Sequence, residues 1–251
     1  MTTRDEAGHA VISGGGTGIG RATALRLARD GFDVTIIGRR PAVLDEAAEQ
    51  IRRAAPQRRV HTVTADLEDP AQVERAAAEI AAAGAVDVLV NNAGGNLLDR
   101  GEGLSGLADY YEANFRRNVL TAVLLTEALL PHVRRPGRIV SISSIAGLRG
   151  ADAYGAAKAA IHGWSMGLAL QLADEGVTVN AVAPGYVPDT EFWDGRRTPE
   201  IAASRLAGVP MNRPGTPDEV AGAVSYLAGP SAAWTTGQII QVNGGALLGR
   251  G

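Results

Sequence analysis

Short apolar runs alternate along the chain with longer stretches rich in Ala and Leu. The short runs at residues 9–13, 33–37, 60–64, 86–90, 138–142, 177–182 and 238–242 predict β-strands. Between them, helices are predicted at about residues 19–30, 41–54, 71–83, 107–130, 153–174 and 217–228. Strand followed by helix, repeated in this way, is the pattern of βα units around a parallel sheet. No linker, low-complexity tract or internal repeat divides the 251 residues, so one α/β domain is expected over 1–251. Two irregular stretches, 94–106 and 184–213, are long for loops of a compact domain, and such loops often carry function.

Composition narrows the classes. A net charge of −3 and the absence of a basic stripe with interleaved aromatics argue against a nucleic-acid partner. The pairs Arg52-Arg53, Arg58-Arg59 and Arg134-Arg135 read as solvated surface. Without a single cysteine the chain has no disulfide, thiolate metal site or cysteine nucleophile. Its four scattered His, none paired at ligand spacing, leave little case for zinc, and no metal is expected. The charged N-terminal residues show no signal-peptide core and no run approaches a membrane span, so a soluble cytoplasmic protein is the expectation.

Candidate chemistry centres on Tyr154-Gly155-Ala156-Ala157-Lys158. Four residues apart on a helix, Tyr154 and Lys158 share one face. A phenol titrates near pH 10, and a nearby ammonium brings it toward the working range. Lys158 is the only lysine in the chain; every other basic side chain apart from His is Arg, which cannot serve as a compact, tunable ammonium. A second signal is the turn Ser13-Gly14-Gly15-Gly16-Thr17-Gly18-Ile19-Gly20 between the first strand and first helix. Its glycines let backbone N–H groups approach a pyrophosphate at a helix N-terminus. No Lys-Ser/Thr pair follows the last glycine, which disfavours a P-loop.

Ser13-Gly14-x-x-x-Gly18-x-Gly20, Asn91-Asn92-Ala93-Gly94, a Ser ahead of Tyr154-x-x-x-Lys158, and Pro184-Gly185 occur in one order along nearly the whole chain. Together they resemble the short-chain dehydrogenases/reductases, most of all the 3-oxoacyl-carrier-protein-reductase-like branch. The resemblance implies a Rossmann-type doubly wound sheet of seven parallel strands, a nicotinamide cofactor, and hydride transfer between an alcohol and a carbonyl. It assigns Asn118, Ser144, Tyr154 and Lys158 to catalysis. It places Gly14, Gly16, Thr17, Gly18, Ile19, Gly20, Asp66, Leu67, Asn92, Ala93 and Gly94 against the cofactor, with Tyr154 and Lys158. Pro184, Gly185, Val187 and Thr190 would hold the nicotinamide end. Asn91 is expected to brace the sheet. Asn114 competes with Asn118 for the relay position, and Asp66 can also be read as an ordinary turn residue.

The cofactor can be argued from residues alone. An acidic side chain at the end of the second strand would bond a free ribose 2′-OH and repel a 2′-phosphate. Here Gly38 stands there, followed by Arg39 and Arg40, two guanidiniums able to pair with phosphate. NADP(H) is therefore expected. Of the three serines near residue 142, Ser141 should lie within the sheet, and the resemblance puts the carbonyl contact on Ser144 rather than Ser143. Ser144 stands ten residues before Tyr154, about three fewer than the family usually has, and an extra residue precedes Thr190. Glu191-Phe192-Trp193 could cover a substrate or pack on the domain.

The expected activity is an NADPH-dependent reduction of a ketone, with Tyr154 as general acid/base. The rivals are an NAD-linked alcohol dehydrogenase and a dinucleotide-binding redox sensor without turnover. The substrate is expected to be a small free carbonyl compound, since Asp174-Glu175 offsets Arg134 and Arg135 as a dock for an acidic carrier protein. The resemblance further implies a homo-oligomer, dimer or tetramer, through the two long central helices, with Leu120, Val123 and Leu124 on the apolar face.

Overall fold

The computed structural model describes residues 7–97, 100–150, 152–193, 195 and 197–249. Strands β1 (His9–Ser13), β2 (Asp33–Gly38), β3 (Val60–Thr64), β4 (Val86–Asn91), β5 (Val133–Ile142), β6 (Thr178–Pro184) and β7 (Ile239–Val242) form one sheet. Its order is β3-β2-β1-β4-β5-β6-β7, and every neighbouring pair is parallel. The order reverses between β1 and β4, and in an open α/β sheet the crevice beyond such a reversal is where ligands bind. This is the doubly wound Rossmann-type fold.

Helices α1 (Gly18–Arg29), α2 (Pro41–Ala54) and α9 (Pro217–Ala228) cover one face, while α3 (Pro70–Ala83), α5 (Thr121–Leu129) and α7 (Ala153–Leu172) cover the other. Strand alternation sorts the core between them. In β1, Ala10 and Ile12 join Leu27, Leu44 and Val224 on the first face, whereas Val11 joins Ile80, Leu125 and Leu168 on the second. Both faces being covered explains why the inner strands read as nearly continuous apolar runs.

The sequence expects an unbroken helix over 107–130. The chain instead forms α4 (Gly103–Phe115), a π-helical turn at Arg116–Leu120, and α5. Side chains divert backbone carbonyls there: Asn118 Nδ2 donates to Asn114 O and Thr121 Oγ1 to Arg117 O. Such turns gather at functional sites. Two helices sit in stretches where none is expected, namely α6 (Ala146–Arg149) and α8 (Pro199–Ala207). The second starts on Thr198, whose hydroxyl accepts from Ile201 N, with Pro199 in its first turn. β5 begins at Val133, five residues before the predicted strand, because Val133 pairs with Val86 ahead of the Arg-Pro-Gly interruption. Among the described residues, no helix is long and apolar enough to cross a membrane.

Candidate active site

The ends of β1, β4, β5 and β6 open into one cleft of about 1370 Å³ that runs from the glycine-rich turn past Tyr154 to α8. At one end, the turn is locked to β4. Asn92 Nδ2 donates to Ser13 O and Gly14 O, and the N–H groups of Asn92 and Ala93 both donate to Ser13 Oγ at 2.9 Å. Gly14 adopts φ +63°, and a Cβ on Gly20 would stand 2.1 Å from Gly14 O. Only glycine allows α1 to start this close to the turn, and Gly18 and Ile19 of its first turn line the cleft. Asn91 Nδ2 donates to Thr126 Oγ1 inside the domain, so this side chain braces the sheet.

At the centre, Lys158 is buried and its Nζ donates to Ile142 O at 2.9 Å. The same ammonium lies 5.8 Å from the centroid of the Tyr154 ring. Burial lowers the lysine from its ordinary value to about 8, so it still carries its charge through most molecules at neutral pH. Ser144 lines the same cleft, its Oγ accepting from Ala146 N. Ser143 also borders the cleft but is buried, and its hydroxyl bonds Lys158 O and His162 Nε2. Ser141 is buried within the sheet.

Asn118 closes the back of the site. Its Oδ1 accepts from Gly95 N, and its Nδ2 donates to Gly95 O and Asn114 O. Asn114 holds Leu97 through both amide atoms in the same manner. The two asparagines act together to pin the loop after β4.

Over the cleft arches the segment after β6. The Phe192 ring lies 5.4 Å from Tyr154, and Trp193 packs edge-on against both Phe192 and Tyr186. Arg205 of α8 stacks over Trp193. Thr190 Oγ1 donates to Val187 O, beside the glycine-rich turn at Gly18. On the far rim, Arg39 and Arg40 both line the cleft, but Arg40 Nη2 is held by the Glu191 carboxylate at 2.6 and 2.8 Å.

The sequence profile of the family described as Enoyl-(Acyl carrier protein) reductase matches residues 14–246, almost the whole chain. The chain belongs to the short-chain dehydrogenase/reductase family. Among its relatives is 2,3-dihydroxy-2,3-dihydro-p-cumate dehydrogenase of Pseudomonas putida, 39% identical over 95% of this chain and 94% of that protein. Another is the 3-oxoacyl-[acyl-carrier-protein] reductase of Aggregatibacter actinomycetemcomitans, 37% identical over 94% of this chain and 97% of the other. A short-chain dehydrogenase of Burkholderia cenocepacia, solved in complex with NADP, is 35% identical; it superposes with a TM-score of 0.85 over 97% of this chain and 99% of its own.

With the dehydrogenase/reductase fold in place, most of the motif residues gather on one cleft. Gly14, Gly16, Thr17, Gly18, Ile19, Arg39, Arg40, Asp66, Leu67, Asn92, Ala93, Gly94, Ser144, Tyr154, Lys158, Pro184, Gly185, Val187 and Thr190 line it. Gly20 lies in the first turn of α1, where it lets the helix approach the glycine-rich turn. Three of these residues also make contacts within the chain. Asp66 accepts from Glu68 N as a turn residue, Leu67 is buried in the core, and Arg40 is committed to Glu191. Arg134 and Arg135 form ion pairs with Asp87 and Glu175 instead of an open basic surface. Among the described residues, no cluster of side chains could hold a metal ion. Sequence reasoning passed over His162, although its position four residues after Lys158 and eight after Tyr154 puts all three on one helix face.

Proposed function

We propose that this chain is an NADPH-dependent carbonyl reductase that interconverts a ketone and a secondary alcohol. The observation carrying this reading is that Tyr154, Lys158 and Ser144 meet in the cleft that begins at the glycine-rich turn and ends on the Arg39 rim. The cleft residues fit a nicotinamide dinucleotide: Gly14 to Ile19 for the pyrophosphate, Ala93 and Gly94 along its length, and Pro184 to Thr190 at the nicotinamide end. Arg39, with no acidic residue beside Gly38, fits a 2′-phosphate.

When bound, the cofactor supplies the hydride for the carbonyl carbon. The Ser144 hydroxyl and the Tyr154 hydroxyl bind the carbonyl oxygen and stabilise the charge that develops there. Tyr154 then gives its phenolic proton to that oxygen, leaving the alcohol. Lys158, charged and close to the ring, favours the phenolate that results. Asn118 and Asn114 keep the β4 loop in place behind this group. Phe192 and Trp193 shield the reacting carbonyl from water and present an apolar wall to the substrate.

Purified protein assayed with NADPH and with NADH against a panel of small ketones tests the reading. Consumption of NADPH with formation of the alcohol is expected. Preference for NADH would favour an NAD-linked alcohol dehydrogenase, and tight NADPH binding without turnover would favour a redox sensor.

A further inference from the structure

One buried polar cluster behind the cleft is not accounted for by this chemistry. His162 lies on α7, one turn beyond Lys158, with its Nε2 2.6 Å from Ser143 Oγ. The Ser143 hydroxyl is also 3.2 Å from Lys158 O. A carbonyl oxygen can only accept and a hydroxyl has a single proton, so the serine donates to Lys158 O and the imidazole must donate to the serine. The hydrogen-bond chain therefore runs from His162 Nε2–H to Ser143 Oγ–H to Lys158 O. It requires a neutral ring protonated on Nε2 or the cation. Burial first, and then the Lys158 charge, hold His162 below the ordinary imidazole value, which leaves the neutral form.

The cluster touches two of the three groups assigned to the chemistry. Ser143 N donates to Val182 O, so Ser143 is tied to β6 as well as to α7. Lys158 is gripped at both ends by consecutive residues of one strand end, Nζ by Ile142 O and its backbone carbonyl by Ser143. On the other flank, a Cβ on Gly147 would fall 2.7 Å from the Lys158 carbonyl carbon and 3.0 Å from His162 Cε1. Gly147 N also donates to Ser144 O. The turn that presents Ser144 thus rests directly on the Lys158–His162 turn of the helix.

We propose that His162 is a positioning residue for the reductase site: as an Nε2–H donor to Ser143 it sets both the Lys158 ammonium and the Ser144 turn relative to Tyr154. This rests on the reductase reading above. Small displacements of such groups cost rate because the reacting atoms must be aligned before the barrier is crossed.

The experiment has one arm that needs no activity. Nitrogen NMR of the protein, with the ring assigned by loss of its signal in His162→Gln, is expected to show Nε2 protonated and Nδ1 bare. A ring protonated on Nδ1 alone would overturn the proposal. In the kinetic arm, His162→Leu is expected to lower kcat about 10–100-fold with NADPH affinity unchanged. His162→Gln, which keeps an N–H donor, should recover most of that loss. Ser143→Ala should match the leucine variant, and the double variant should be no slower than the worse single one, since both break the same chain. If His162→Leu does not fold, the glutamine and Ser143→Ala variants carry the comparison. Unchanged kcat in a folded leucine variant, a lowered Tm alone, or losses that simply multiply would overturn it. Failure of the wild type to reduce any ketone sinks the reductase reading, while the NMR arm still decides the hydrogen bond.

Discussion

Lys158 should make the fold less stable while enabling its chemistry, and Lys158→Met measures this. Burial lowers the lysine from 10.5 to about 8. Between those two values the folded protein binds fewer protons at this site than the unfolded chain. Stability therefore rises with pH from about 8 to about 10.5, and below pH 8 the full cost of burying the ammonium is felt. A shift of that size, at 1.36 kcal/mol per pKa unit, corresponds to about 3 kcal/mol at pH 7, about 2 at pH 9 and under about 1 at pH 10. Methionine has similar volume and no charge, so it removes this pH-dependent cost. It also strands the Ile142 carbonyl that Nζ now satisfies, a loss of about 1–3 kcal/mol that does not vary with pH. Urea unfolding of both proteins at pH 7, 8, 9 and 10 is the assay. The stability of the variant relative to the wild type should fall by about 2–3 kcal/mol from pH 7 to pH 10. Parallel pH profiles for the two proteins would refute the reasoning, because the cost of charge burial is what separates them. Turnover should be lost in the variant throughout.

Other outcomes follow from the same site. Ser144→Ala should lower kcat about 10²–10³-fold with NADPH affinity nearly intact, as for loss of one oxyanion donor, and a small effect would move the carbonyl contact elsewhere. Arg39→Ala should weaken NADPH by about 1.5–3 kcal/mol in a calorimetric titration and leave NADH unchanged. Arg40→Ala should do less, because Glu191 already holds that guanidinium; equal losses for both cofactors in Arg39→Ala would reject its role. Light scattering at micromolar concentration should give a dimer or tetramer mass. Leu120, Val123 and Leu124 are only half exposed, with Val123 and Leu124 packed on the domain's own clusters, so Phe115, Met166 and Leu170 are the better contacts; a monomer would reject the assembly.

The order of elements was already determined by the sequence, because period-two and helical hydrophobic patterns are local and a fully covered parallel sheet writes itself as apolar runs. β1, β3, α2 and α9 begin and end at the predicted residues. The glycine-rich turn and the Tyr154–Lys158 pair were legible for the same reason: each depends on spacing within one element. What needed the tertiary structure were relations between elements distant along the chain. Both Arg39 and Arg40 read as phosphate ligands from the sequence, and only the fold brings Glu191, 151 residues beyond Arg40, against one of them. Ser143 and Ser144 are neighbours of identical chemistry that both border the cleft, and only the contact between the end of β5 and α7 commits the Ser143 hydroxyl to Lys158 and His162. The break in the long central helix was equally hidden. It arises where Asn118 must reach the Gly95 backbone as well as its own helix, and no local propensity encodes that loop's position. Spacing along a chain states which groups share a face; which groups they meet across the core is decided only when the sheet closes.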